Sequence, residues 1–159
     1  MAVINVTSGS QAILTLGNTS SMAQPGGTNG LVIPLVQDIT VNTAPGTVRY
    51  STLDSTASSA FTTVVENSVT LNMLVDEATF FGDSGNTLNS VATSGLWSTS
   101  NSKTEVNFSV AFEGADSGDY YLSGTGFIGG LAPSASIDQA VWISPMEITV
   151  NGDLSKATV

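Results

Sequence analysis

The chain of 159 residues carries three basic side chains, Arg49, Lys103 and Lys156, against thirteen acidic ones, with no histidine and no cysteine, giving a formal net charge of −10. That excludes an imidazole base, a thiolate nucleophile, a disulfide framework and Cys/His metal sites, and three scattered cations cannot neutralise a nucleic-acid backbone. The length predicts one domain, residues 1–159, burying roughly 70% of its extended surface. Charged residues make up only 10% of the chain, so neutral polar groups must carry its solubility. The 22 Ser and 20 Thr, together with abundant Val and Ile, favour pleated sheet.

The first residues, Met1-Ala-Val-Ile-Asn-Val, lack a basic region followed by a long apolar run, so no secretory signal is read there. No stretch approaches the roughly 20 apolar residues of a membrane span. A first strand is expected over residues 11–16. Residues 17–30 have no apolar periodicity and are rich in Gly, Ser, Thr and Asn; they read as a long inter-strand loop of the kind that usually carries function.

Leu31, Ile33, Leu35, Ile39 and Val41 then alternate with mostly polar positions, which predicts a strand over 31–41. Pro34 places part of it at an edge or bulge, because proline cannot donate to a ladder. A further strand is expected over 48–53. Val69, Leu71, Met73 and Val75 form another two-faced strand, as do Val106, Phe108, Val110 and Phe112. One apolar and one polar face is the pattern of antiparallel sheet. Between them one short helix is expected, capped by Ser84 or Asn86, carrying Leu88, Val91 and Ala92 and stopping at Gly95. Strands over 120–129 and 140–150 complete the series, with a bulge or bend anticipated where the apolar phase switches around Pro145. Asn151-Gly152 reads as a turn.

None of the chemically suggestive clusters supports a catalytic, cofactor or metal site. Asp116-Ser-Gly-Asp119 and Asp76-Glu77 lack the calcium-loop spacing and read as a turn and a helix start. Gly124-Thr-Gly126 with Gly129-Gly130 lacks the phosphate-loop Lys and a strand-loop-helix setting. Trp97, Trp142, Tyr120 and Tyr121 would suit a sugar-stacking platform, but core or interface packing is the commoner role of such residues.

The succession of segments is informative. Gln37-Asp-Ile-Thr-Val-Asn42, Val48-Arg-Tyr-Ser-Thr-Leu-Asp54 and Ser68-Val-Thr-Leu-Asn-Met-Leu-Val75 resemble the front half of the tail tube proteins of long-tailed bacteriophages. Thr104-Glu-Val-Asn-Phe-Ser-Val-Ala-Phe-Glu113, Tyr121-Leu-Ser-Gly-Thr-Gly-Phe-Ile128, Ile137-Asp-Gln-Ala-Val-Trp-Ile143 and Ile148-Thr-Val-Asn-Gly152 are similar to the back half. The resemblance spans nearly the whole chain and rests on strand order rather than on an invariant motif.

It implies a mainly β fold, an antiparallel β-sandwich or small barrel with one short α-helix, assembling into hexameric rings that stack into a tube through which DNA passes into the host. It also implies contacts to adjacent subunits through an N-terminal arm, residues 1–10 with Val3 and Ile4, and through the loop 17–30 with Asn18, Thr19, Met22, Gln24 and Pro25. Tape measure, tail terminator and distal tail proteins would be further partners, with the subunit located in the virion tail after assembly in the bacterial cytoplasm. A conduit for DNA should not bind it, so carboxylates facing the lumen would hold phosphates off the wall; Asp38 and Glu66 are the candidates. Another β-sandwich assembly, such as a capsid decoration protein or a carbohydrate-binding module, stays open at this point. So does the choice between contractile and non-contractile tails.

Overall fold

Nine antiparallel strands and two helices make up the computed structural model, which describes residues 12–18, 24–25, 27, 29–53 and 56–159. In chain order these are β1 (Ile13–Gly17), β2 (Leu31–Val32), β3 (Val36–Tyr50), β4 (Ser59–Leu74), α1 (Glu77–Phe81), α2 (Ser90–Asn101), β5 (Glu105–Ala111), β6 (Tyr120–Gly129), β7 (Ser134–Ser136), β8 (Gln139–Val150) and β9 (Ser155–Thr158). The strands form one sheet in the order β2-β1-β5-β6-β8-β4-β3, with β7 paired to β8 and β9 to β6. The expected mainly antiparallel fold is therefore present, with two helices rather than one and without barrel closure.

The sheet is nevertheless strongly curled. Its two edge strands, β2 and β3, are separated in the chain by residues 33–35 alone, so the edges can lie no more than roughly 14 Å apart there. The expected strand over 31–41 breaks at this link because it changes partner. Ile33 N–H donates to the Leu14 carbonyl on the β1 side (2.9 Å), whereas the Leu35 carbonyl accepts from Leu74 N–H on the β4 side (3.1 Å). Pro34 sits between the two, where no ladder bond is required. Leu35 takes a φ of 56° to make the transfer, a left-handed conformation costing about 1–2 kcal/mol in a residue with a Cβ.

Continuous registers place one set of side chains on a common face. Leu14 and Leu16 oppose Val110 and Phe108; Ile128 opposes Ile148, which opposes Val69; Met146 opposes Leu71, which opposes Ile39. All but the half-buried Ile39 are almost completely buried, and Phe80, Val91, Ala92 and Leu96 of the helices cover them.

The helical segment departs from the sequence expectation at both ends. Asp83 and Asn86 close tight turns, accepting from Gly85 N–H and Leu88 N–H (2.9 and 3.0 Å). The cap of α2 is instead Asn89, whose Oδ1 accepts from Ala92 N–H (3.0 Å) and whose Nδ2 donates to the carbonyls of Leu16 and Asn29. Gly95 does not end the helix but kinks it at φ 81°. A Cβ there would lie 2.3 Å from Gly82 N, so glycine at 95 lets the end of α1 cross the kink directly.

No bulge forms at Pro145. It continues the β4–β8 register opposite Asn72, beyond the last β6 pair, Gly129 with Glu147, so its missing N–H leaves no partner unsatisfied. The apolar phase switch instead marks where β8 leaves the core, with Val141 and Trp142 half-exposed.

Candidate functional site

Two surfaces stand out, one polar and one apolar. The polar one is the sheet face opposite the core. Across β3, β4, β8, β6 and β5 the registers align Asn42, Ser68, Thr149, Phe127 and Glu105 in one row and Thr40, Thr70 and Glu147 in the next. Asp38 and Asn72 extend the face at one end, Ala44 and Glu66 at the other.

Asp38 and Glu66, the two acids picked from sequence, thus share a solvent face. The structure adds Glu105 and Glu147, which sequence alternation within β5 and β8 would have found had all strands been phased together. No strand position of this face among the described residues is Lys or Arg. Among the described residues these acids pair with no cation. Asp38 accepts from Asn72 N–H and Nδ2 (3.2 and 2.9 Å), locking the register beside the irregularity between Val36 and Asp38. Glu105 accepts from Asn151 Nδ2 (2.7 Å). The result is an anionic wall of Ser, Thr, Asn and carboxylate groups.

The second surface is the far half of the β3–β4 hairpin. Pairing continues to Tyr50 and Ser59, well past the body of the sheet. Between the Pro45–Val65 and Thr47–Thr62 pairs, β3 advances two residues and β4 three. This one-residue bulge reverses the alternation. Phe61, which strict alternation would place on the core side with Val69, lies with Val48 and Tyr50 on the opposite side, the side of the acid face. Val64 is 84% exposed and Phe61 53%, and the Tyr50 and Phe61 rings lie 6.1 Å apart.

Arg49 is the single charged side chain among the described residues beyond the bulge, and it has no ion-pair or hydrogen-bond partner there. The sequence reading gave a separate strand at 48–53 and none over 59–66. The mixed apolar and Thr-rich run Phe61-Thr-Thr-Val-Val65 was the available signal.

At the other end of the same hairpin lies an apolar groove of about 400 Å³, lined by Leu35, Leu74, Val75, Phe81, Ala140, Val141 and Trp142, with Glu77 its one charged residue. Trp97 packs against Phe80 (6.0 Å), Lys156 covers the Tyr120 ring (4.0 Å), and Tyr121 is buried. The four aromatic residues considered as a sugar platform are thus in separate settings.

Of the loop residues, Asn18 offers its carbonyl to Asn107 Nδ2 (2.6 Å), Gln24 is exposed with its carbonyl bound to Gly27 N–H, and Pro25 is buried. Val3, Ile4, Thr19 and Met22 lie outside the described residues. Asp116–Asp119 is a turn closed by its own backbone and carboxylate, and Asp76 caps α1 through Thr79. No group of three or more acidic side chains able to hold a metal occurs among the described residues, and no described helix is long and apolar enough to cross a membrane.

The fold is that of phage-type tail tube subunits. The chain is similar to a subunit of the tail of an empty gene transfer agent particle, solved by helical refinement with C6 symmetry, at a TM-score of 0.66 and 14% identity over 96% of this chain and 100% of that one. It is equally similar to the SPP1 tail tube protein, with a TM-score of 0.66 and 11% identity over 97% and 80% of the two chains. A chain of the native gene transfer agent virion matches at 0.64 and 14% identity, over 96% and 100%. No family model and no curated relative matches the sequence.

Proposed function

We propose that the protein is a structural subunit of a phage-type tail tube. Six copies close into a ring, rings stack, and the anionic face of β3, β4, β8, β6 and β5 lines a channel through which DNA passes without specific binding. The observation that carries this reading is a cation-free sheet face bearing Asp38, Glu66, Glu105 and Glu147, set within a fold shared over nearly the whole chain with tail tube subunits.

The physical logic is that of a non-adhesive wall. Fixed carboxylates repel phosphates over about one Debye length, roughly 8–10 Å, and without Lys or Arg the wall cannot release counterions by binding phosphate. DNA close to such a surface keeps its ion atmosphere and moves. The subunit's role is structural rather than catalytic. In this reading residues 1–10 and 17–30 contact adjacent copies, and tape measure, tail terminator and distal tail proteins are further partners. The subunit is located in the virion after assembly in the bacterial cytoplasm.

Electron microscopy of the purified protein over rising concentration, with mass spectrometry of tail particles, tests the proposal. Six-fold rings or tubes and presence in tails are expected. A protein that stays monomeric throughout and is missing from tails would contradict it.

A further inference from the structure

Two hollows adjoin at Asp153. The smaller, of about 250 Å³, opens where β6 exchanges its partner β8 for β9, and its polar lining is Asn107, Ser123, Thr125, Asp153 and Ser155. The larger, of about 1030 Å³, holds Glu66, Asn67, Glu147 and the same Asp153. Among the described residues no Lys or Arg lines either one. We infer that the adjoining hollows bind an aliphatic polyamine, with one ammonium group seated between Ser123 and Asp153 and the next among Glu66, Asn67 and Glu147.

The first observation is a set of polar groups without partners. Thr15, Ser109, Ser123 and Ser155 stand opposite one another across β1, β5, β6 and β9. Thr15 Oγ1 and Ser109 Oγ are buried and unpaired. Ser123, only 8% exposed, has no hydrogen bond from its hydroxyl to any described residue, and it lines the smaller hollow. In the larger hollow Asn67, 6% exposed, donates from Nδ2 to the Gly152 carbonyl (3.2 Å) and leaves Oδ1 unpaired. Side chains this buried are ordinarily hydrogen-bonded. An ammonium group brings three donors and no acceptor, which suits a hydroxyl oxygen, an amide oxygen and carboxylates.

The second observation is how the charges are spaced. Ser68 opposes Thr149 and Thr70 opposes Glu147, so Glu66 and Glu147 lie four residues apart in register, a separation of roughly 13 Å. No three acidic side chains among the described residues are grouped closely enough to hold a metal ion. A point cation therefore cannot answer these carboxylates together, whereas positive charges spread along an aliphatic chain can. Val64, Val65 and Val150 also line the larger hollow and give methylene spacers an apolar surface to lie on. The site is complete within one subunit and stands apart from assembly. Only its consequence rests on the tail tube reading: bound amine lowers the charge of the channel wall without a fixed Lys or Arg, and copies of net charge −10 then repel one another less.

Calorimetric titration of the full-length protein with spermidine, at constant ionic strength and at a concentration where it sediments as a monomer, tests this. Saturable binding is expected, about tenfold or more tighter than that of butylamine or of magnesium ion. Asp153→Asn and Glu66→Gln/Glu147→Gln should each weaken it by about tenfold. Ser123→Ala should weaken it several-fold. Asp153 is exposed and its carboxylate has no partner among the described residues, so Asp153→Asn should keep the wild-type unfolding midpoint and report on binding alone. Asp116→Asn, which removes the same charge from the β5–β6 turn, should bind spermidine as wild type does. Absence of saturation, equal affinity for spermidine and magnesium, or equal losses in Asp153→Asn and Asp116→Asn would reduce the effect to diffuse screening and overturn the site, leaving the tube reading untouched.

Discussion

The two halves of the β3–β4 hairpin are built from similar residues and end in opposite environments. Near the body, Ile39 and Val41 oppose Leu71 and Val69, and the β4 partners are closed off by β8 and the helices. Beyond the Pro45–Thr47 irregularity, Val48 opposes Phe61 and both lie open to solvent. Apolar alternation reports that a strand face will be covered. It does not say whether the cover comes from the same chain. In the body the cover is intramolecular and the residues hold the fold. In the far half no described residue covers them, so their burial is expected to contribute to association.

That contrast has measurable consequences in urea unfolding. Phe108→Ala, at 1% exposure in the centre of the sheet, should lose about 3–5 kcal/mol, whereas Phe61→Ala should stay within about 0.5 kcal/mol of wild type. Equal losses at the two positions would break the distinction between body and far half.

A somewhat smaller effect is expected at the helix crossing. Gly95→Ala combines a left-handed φ with a Cβ driven onto Gly82 N and should lose about 2–4 kcal/mol in the same assay. Asn89→Ala removes a cap and abandons two carbonyls on neighbouring segments. About 1–2 kcal/mol is expected, and an unchanged midpoint would show that water replaces it freely.

Val64→Asp sharpens the comparison from the other side. Placed on an 84%-exposed position, it should shift stability by no more than about 0.5 kcal/mol. Sedimentation velocity should nevertheless show that the variant fails to assemble. Smallest of all should be Glu66→Gln/Glu147→Gln. No described residue pairs with these carboxylates, and removing them relieves repulsion, so a change within about 0.5 kcal/mol is expected by thermal melting. A large loss would mean that these carboxylates hold the body together rather than serve as a solvated wall.

The sequence disclosed some of these features and hid others, for physical reasons. Strand positions such as Val69-x-Leu71-x-Met73 and Val106-x-Phe108-x-Val110 were legible because one face is buried within a single chain and period two survives. That Asp38 and Glu66 lie on one solvent face was legible for the same reason, since both fall on polar phases. Glu105 and Glu147 were not grouped with them, because only the inter-strand registers bring four separate strands into one face.

The far half of the hairpin was misread as a short strand at 48–53. A bulge inverts alternation between Val65 and Phe61, and the opposing run 59–66 therefore follows no simple period. Gly95 was read as a stop because glycine at positive φ commonly ends helices. Here the same freedom serves a crossing of two helices inside the body. The break at Pro34 was foreseen as an edge feature, but the exchange of partners from β1 to β4 depends on curling of the whole sheet, which no local pattern encodes.

The most direct measurement of the central claim is a helical reconstruction of the assembled protein by cryo-electron microscopy, resolved well enough to trace strands. The account predicts six-fold rings in which Asp38, Glu66, Glu105 and Glu147 point toward the axis and the core and α1 lie outside them. A reconstruction in which that acidic sheet face lies on the outer surface, or is buried between subunits, would contradict it.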